Sequence, residues 1–325
     1  MAGATNQSNF HSGRRYVVGA YPASAAHKIW DSAQEKHLFE LLSSDPRISA
    51  LEIPWLGSIH PHDDTWLINN FPRNLQAAIT SIPFVMSKVG KDANYGLASS
   101  DEGGRSEAIS DAKKILKAVD EFNSSVGQSI VSVVEVHTAP RRVGKVSALA
   151  KSLEEMTSWN WGDTKLVIEH CDAWVEGKSP EKGFLTLEQE LTAIDLASAD
   201  IGIFINWGRS AIEFRDAKRV VEHIAQAKSR GLLSGLIFSG VADVESDFGY
   251  PWIDAHLPFK NNAGMNYGDS NSLLTAEVAA EAMRTAGKVE YLGIKMGWSP
   301  KIDGGVEQRY QMISQSLDLL IDSNT

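Results

Sequence analysis

Lys165-Leu166-Val167-Ile168-Glu169 is an apolar run that ends on a carboxylate, and three later segments repeat its design. Residues 201–206 (IGIFIN), 233–239 (LSGLIFS) and 291–295 (YLGIK) are mostly apolar and end on Asn206, Ser239 and Lys295. Gly, Pro or charge follows each before a helical stretch begins. Strands with polar C-terminal ends, alternating with helices, predict a single (β/α)8 TIM barrel read at its catalytic mouth.

Working outward, eight strand–helix units can be counted. The first four strands are expected at residues 16–20, 50–53, 82–86 and 130–136, and the last four end at Glu169, Asn206, Ser239 and Lys295. Apolar residues at helical spacing predict helices over 28–42, 74–81, 107–122, 143–156, 187–197, 210–229, 276–286 and 306–320. Most returns from helix to strand are short, whereas long loops follow the third strand (87–105) and the seventh (240–272). Loops after strands build the active site in this architecture, so the two long ones predict a covered pocket. With 325 residues, 43% of them hydrophobic, the chain suits one barrel over 14–325 behind a polar, flexible tail at 1–13.

The bulk numbers exclude whole function classes. A formal net charge of −10 opposes nucleic acid and anionic membrane as partners, since either favours a basic face. Cys171 is the only cysteine, so no internal disulfide can form and a reducing, cytoplasmic location is expected. Residues 1–13 lack the apolar core of a signal peptide, and no apolar run is long enough for a bilayer.

The two-residue period of a strand assigns the inward side chains. In the fifth strand Val167, Glu169 and Cys171 share one face, and Leu166, Ile168 and His170 the other. In the sixth, Gly202, Phe204 and Asn206 face the axis; in the eighth, Tyr291, Gly293 and Lys295 do. Val133, Glu135 and His137 share a face of the fourth strand, and Ala50 and Glu52 a face of the second. Glu52, Glu135, His137, Glu169, Asn206, Ser239 and Lys295 therefore converge. Charged residues are seldom buried without a task or a partner, so this convergence reads as an active site rather than a salt-bridged plug.

The local sequences Val167-Ile168-Glu169-His170 and Asn206-Trp207-Gly208-Arg209-Ser210-Ala211-Ile212-Glu213 resemble the xylose-isomerase-like superfamily of sugar isomerases and epimerases. The resemblance implies a divalent metal held by Glu, Asp, His and Glu from the ends of strands five to eight. It also implies an Asp-x-x-His-x-x-x-Glu pattern after strand six and a Glu closing strand two, matched here by Glu52. This chain keeps Glu169 but has Asn206, Ser239 and Lys295 at the other three ligand positions. In the second pattern it has Asn206 and Arg209 and keeps Glu213. One carboxylate, one amide, one hydroxyl and one ammonium do not suit Mn²⁺ or Mg²⁺, which favour anionic oxygens. No metal cofactor is therefore expected. Lys295 facing Glu169 can take over electrostatic work of a cation, or, with a lowered pKa, act as a base or Schiff-base amine.

Other residues complete the candidate site. His60-Pro61-His62-Asp63-Asp64 has metal-binding residue types but no fourth ligand at diagnostic spacing, so a helix cap by Asp63 or Asp64 is expected. His256 is expected in a lid. Arg141, Arg142 and Arg209 stand near helix starts, where a carboxylate, sulfate or phosphate on the substrate and a plain surface position suit them equally. Trp55, Trp174, Trp207 and Trp298 follow strand ends and suit stacking on a sugar ring.

The reading that results is a metal-independent, or weakly metal-dependent, cytoplasmic enzyme of the sugar isomerase/epimerase type, acting on a carbohydrate that carries an acidic or phosphate group. Glu169 is the expected acid/base, Glu135 or His137 its partner, and Lys295 with Asn206 the polarising pair. Glu52, Trp55, Arg141, Trp174, Trp207, Arg209, Glu213, Ser239 and Trp298 are expected to bind substrate. Glycoside hydrolysis or β-elimination by Glu135 and Glu169 is the enzymatic alternative, a non-catalytic sugar-binding barrel the other, and a homo-oligomer stays open.

Overall fold

The computed structural model describes residues 15–27, 29–261 and 265–323; the expected tail at 1–13 lies outside them. Eight strands, β1 (Arg15–Gly19), β2 (Ala50–Pro54), β3 (Gln76–Thr80), β4 (Val131–Val136), β5 (Lys165–His170), β6 (Gly202–Asn206), β7 (Leu233–Phe238) and β8 (Tyr291–Lys295), close into one barrel in chain order. Every neighbouring pair is parallel, including the closing pair β1–β8.

Side-chain alternation then sorts the sequence into layers. Val17, Ala50, Ala78, Val133, Val167, Phe204, Ile237 and Tyr291, one from each strand, fill the barrel as a buried apolar cluster. Two residues further along each of the first seven strands stand Gly19, Glu52, Thr80, Glu135, Glu169, Asn206 and Ser239. Lys295 enters beside them because its register partner on β1 is Gly19. The polar ring is thus one pleat above the apolar plug.

The outer layer is α1 (Ser32–Ser44), α2 (Asp64–Asn70), α3 (Ile82–Val89), α4 (Glu102–Val126), α5 (Val146–Thr157), α6 (Leu187–Ala197), α7 (Trp207–Phe214), α8 (Val220–Ser229), α9 (Ala276–Ala286) and α10 (Val306–Asp322). Among the described residues no helix is long and apolar enough to cross a membrane.

Two expectations about the elements are corrected. The third strand is Gln76–Thr80 rather than 82–86, and no helix covers 74–81. Ala77 and Ala78 favour a helix by propensity, but Ala78 takes the inward place in the crowded axial layer. Residues 82–89 form α3, with Pro83 in its first turn and Ile82, Val85 and Val89 buried at helical spacing. The helix expected over 210–229 is broken: α7 ends at Phe214, Arg215 turns left-handed at φ 54°, and a short 3-10 turn leads into α8.

Candidate active site

Each of Glu52, Glu135, His137, Glu169, Asn206, Ser239 and Lys295 is at most 5% exposed. Burying an ionised group is costly unless it is paired and hydrogen-bonded, so the partners decide what this ring can do. Glu169 is the hub. Its Oε2 lies 2.9 Å from His137 Nε2 and 2.5 Å from Arg209 Nη1. Its Oε1 accepts a hydrogen bond from Asn206 Nδ2 at 3.0 Å. Asn206 Oδ1 accepts from Ser239 Oγ at 2.7 Å, which orients the amide, and His137 Nδ1 meets Ser81 Oγ at 3.0 Å. Burial pushes the Glu169 carboxyl up, but Arg209 and Lys295 outweigh it and hold the group ionised, well below its usual range.

Lys295 does not pair with Glu169 as expected. Its Nζ donates to Glu52 Oε1 at 2.5 Å and lies 5.2 Å from the Tyr21 ring centre. Gly19 makes room for this pair, since a Cβ there would come 2.5 Å from Glu52 Oε2 and 2.8 Å from Lys295 Cγ. Burial lowers the ammonium's pKa, but Glu52, Tyr21 and Glu169 outweigh it and raise it well above its usual value. The free-amine chemistry considered for Lys295 therefore lacks its precondition, and Arg209 is the cation in contact with Glu169.

Glu135 has the opposite character. Burial, then the charges of Glu169 and Glu52, push its carboxyl well above the usual range, which favours the protonated, neutral acid. Its Oε2 is buried without a hydrogen-bond partner among the described residues. Burial lowers His137 to about 4, which leaves the imidazole neutral. Ligand atoms of Glu135, His137 and Glu169 lie within 4.8 Å of one another.

The loop after β7 closes over this ring. Gly240 and Leu257 exchange backbone hydrogen bonds of 2.7 and 3.0 Å, and Gly297 N–H donates to His256 O at 2.6 Å. The loop sends Asp254 inward, where Oδ2 accepts from Arg209 Nε at 3.1 Å and from Lys182 Nζ at 2.7 Å. His256, in the expected lid, is partly buried with Nδ1 3.4 Å from Asp254 Oδ1. Lys182, Asp254, Tyr21 and Ser81 escaped the sequence reading. A charged Asp254 within the apolar run Trp252-Ile253-Asp254-Ala255 was the available signal.

Several expected substrate contacts are elsewhere. Glu213 lies behind β5, bonded to His170 and the Ala173 N–H. Trp207 is buried in the main core and Trp55 is buried; Trp298 donates to Ile302 O and packs on Tyr267, while Trp174 is 38% exposed beneath Arg142. The four tryptophans form no shared platform. Arg141 donates to Glu181 O on the surface. At the loop after β2, Asp63 caps α2 through Trp66 N–H and Asp64 accepts from His60 N–H.

The donor set at the four implied metal positions does not fit a divalent cation. Lys295 occupies one position, and Arg209 Nη1 stands on the one carboxylate, Glu169. By donor spacing alone, two buried groups among the described residues can hold a metal: Glu135–His137–Glu169 and His170–Glu213–His223.

Comparison with known proteins agrees with this architecture. The IOLI protein, solved with a zinc atom, superposes with a TM-score of 0.61 at 14% identity, over 95% of this chain and 99% of that one. A D-allulose 3-epimerase from Methylomonas sp. in complex with D-allulose gives 0.57 at 12% identity, over 95% and 97%. These likenesses establish a xylose isomerase-like TIM-barrel fold. An uncharacterized protein of Salmonella typhimurium is 34% identical over 288 residues, covering 86% of this chain and 89% of its own length. Residues 17–312 match the Domain of unknown function (DUF4862), and the chain belongs to that family.

Proposed function

We propose that the protein is a sugar isomerase- or epimerase-type enzyme that moves a proton next to a carbonyl, without a metal at the barrel mouth, on a sugar bearing an acidic group. The observation that supports this best is the buried juxtaposition of a neutral acid, Glu135, and an ionised carboxylate, Glu169, within 4.8 Å. Two carboxyl groups driven apart in pKa are a pattern of acid/base assignment. The lid carboxylate of Asp254 marks an anion position on Arg209 and Lys182. A substrate carboxylate or phosphate takes that position when the lid opens. It draws the guanidinium from Glu169, whose pKa then rises toward that of a base.

Glu169 removes the proton from the carbon beside the carbonyl while Glu135 gives its proton to the carbonyl oxygen, forming an enediol. Lys295 and Asn206 supply fixed positive potential as negative charge develops on oxygen. Glu169 then gives its proton to the neighbouring carbon while Glu135 takes one back from the hydroxyl on the first carbon, which isomerises the sugar; delivery of the proton to the opposite face of the first carbon, with Glu135 recovering its own from the original oxygen, would epimerise it.

The test is solvent-deuterium incorporation into acidic and neutral sugars, followed by NMR. Deuterium should enter beside the carbonyl of an acidic sugar, with Glu169→Gln and Glu135→Gln each lowering the rate by about 10²–10⁴-fold. Absence of exchange with every sugar tried would sink the reading. The same proximity, within 4.8 Å, also bears on glycoside cleavage, since a retaining pair stands roughly 5–5.5 Å apart. Both Glu169 oxygens already accept contacts, which weakens that carboxylate as a nucleophile. Aryl-glycoside hydrolysis without deuterium incorporation would reverse the order of the two readings.

A further inference from the structure

A second polar cluster lies on the other side of the β5 wall, outside the mouth. His170 faces outward from β5 and is fully buried, while Glu213 on α7 and His223 on α8 close over it. His170 Nε2 lies 3.2 Å from Glu213 Oε2, and His223 Nε2 lies 3.5 Å from Glu213 Oε1. Tetrahedral zinc with bonds of 2.0–2.1 Å sets its ligand atoms about 3.3 Å apart. The observed separations bracket that spacing.

The outer contacts have the form expected around metal ligands. A ligating imidazole normally gives its other ring nitrogen to a carboxylate, backbone carbonyl or water that fixes tautomer and orientation, and a serine hydroxyl offers the same kind of acceptor. His170 Nδ1 meets Glu190 Oε2 at 2.7 Å, and His223 Nδ1 meets Ser210 Oγ at 3.0 Å. Glu190 is itself held by Thr138 Oγ1 at 2.7 Å, and Glu213 Oε2 accepts from Ala173 N–H at 2.8 Å. The Nε2 atoms of both histidines therefore turn toward the same carboxylate. A divalent cation there balances the two carboxylates Glu190 and Glu213 with both imidazoles neutral. Glu213, at 9% exposure the most open of the three, offers the way in.

We propose that His170, Glu213 and His223 form a divalent transition-metal site, zinc by donor type, that ties β5, α7 and α8 together and is separate from the barrel mouth. The full chain, stripped with a chelator and then titrated with Zn²⁺, should take up one ion per chain by elemental analysis. Co²⁺ in its place should give the visible absorption of a tetrahedral site. Glu135→Gln should keep the zinc, whereas His223→Ala and Glu213→Gln should lose it. Ser210→Ala, which removes only an outer partner, should weaken zinc binding by about 10-fold. It decides the matter if the ligand variants fail to fold. The proposal is overturned by absence of zinc uptake, by retention in folded His223→Ala, by loss in Glu135→Gln, or by unchanged affinity in Ser210→Ala.

Discussion

Replacing Lys295 by Met tests whether the ring is held by specific buried pairs. The substitution keeps an unbranched apolar stem but deletes the ammonium that lies 2.5 Å from Glu52 Oε1. At that distance and an effective dielectric of about 20, the attraction is about 7 kcal/mol, much of it offset by desolvation of the two ions. Breaking one side of a buried pair strands the other charge and typically costs about 3–5 kcal/mol. Glu52 has little room to hydrate, because Gly19 already lies against its carboxylate. Lys295→Met should therefore lose about 3–5 kcal/mol of stability. Glu52→Gln together with Lys295→Met removes both ions and should recover much of that loss. Urea unfolding of the wild type, both single variants and the double variant, followed by tryptophan fluorescence, gives the coupling energy. A value of about 2–3 kcal/mol is expected. Additive single losses would refute the pair as the organising contact.

Two further outcomes follow from the same geometry. On an acidic sugar the rate should fall as pH rises through the folded pKa of Glu135, which burial, Glu169 and Glu52 raise well above the usual carboxylate range. Glu135 likewise contributes stability that is full below the usual carboxylate range and is lost as pH rises through the folded value. A pH–rate profile whose alkaline limb survives in the residual activity of Glu135→Gln would assign that limb elsewhere. Asp254→Asn removes the anion that Lys182 and Arg209 hold; burial pushes that carboxyl up, but the two cations outweigh it and keep its pKa well below the usual range. Amide hydrogen exchange over 241–257 should then speed up while the barrel strands stay protected. The wild-type lid should loosen the same way as pH falls from the usual Asp range through Asp254's lower folded value. Unchanged exchange in the variant would show that Asp254 does not hold the lid.

The polar ring was legible in the sequence because strand alternation is local covalent geometry. Once Val17, Val133, Val167 and Phe204 face the axis, Gly19, Glu135, Glu169 and Asn206 must face it one pleat higher. The third strand is not legible locally, because Ala77 and Ala78 belong to a strand only by virtue of the narrow barrel interior, which no window of neighbouring residues reveals. The place of Trp207 after a strand end suggests the rim, yet the start of α7 turns it into the core. Sequence by itself determined which strand side chains share the polar ring. Only the tertiary structure decided which acid each cation neutralises. Lys295 reaches Glu52 across 243 positions of chain, while the lid delivers Asp254 to Arg209. Those pairings set Glu169 as the ion and Glu135 as the acid, because a buried carboxyl's charge depends on which groups approach it in space.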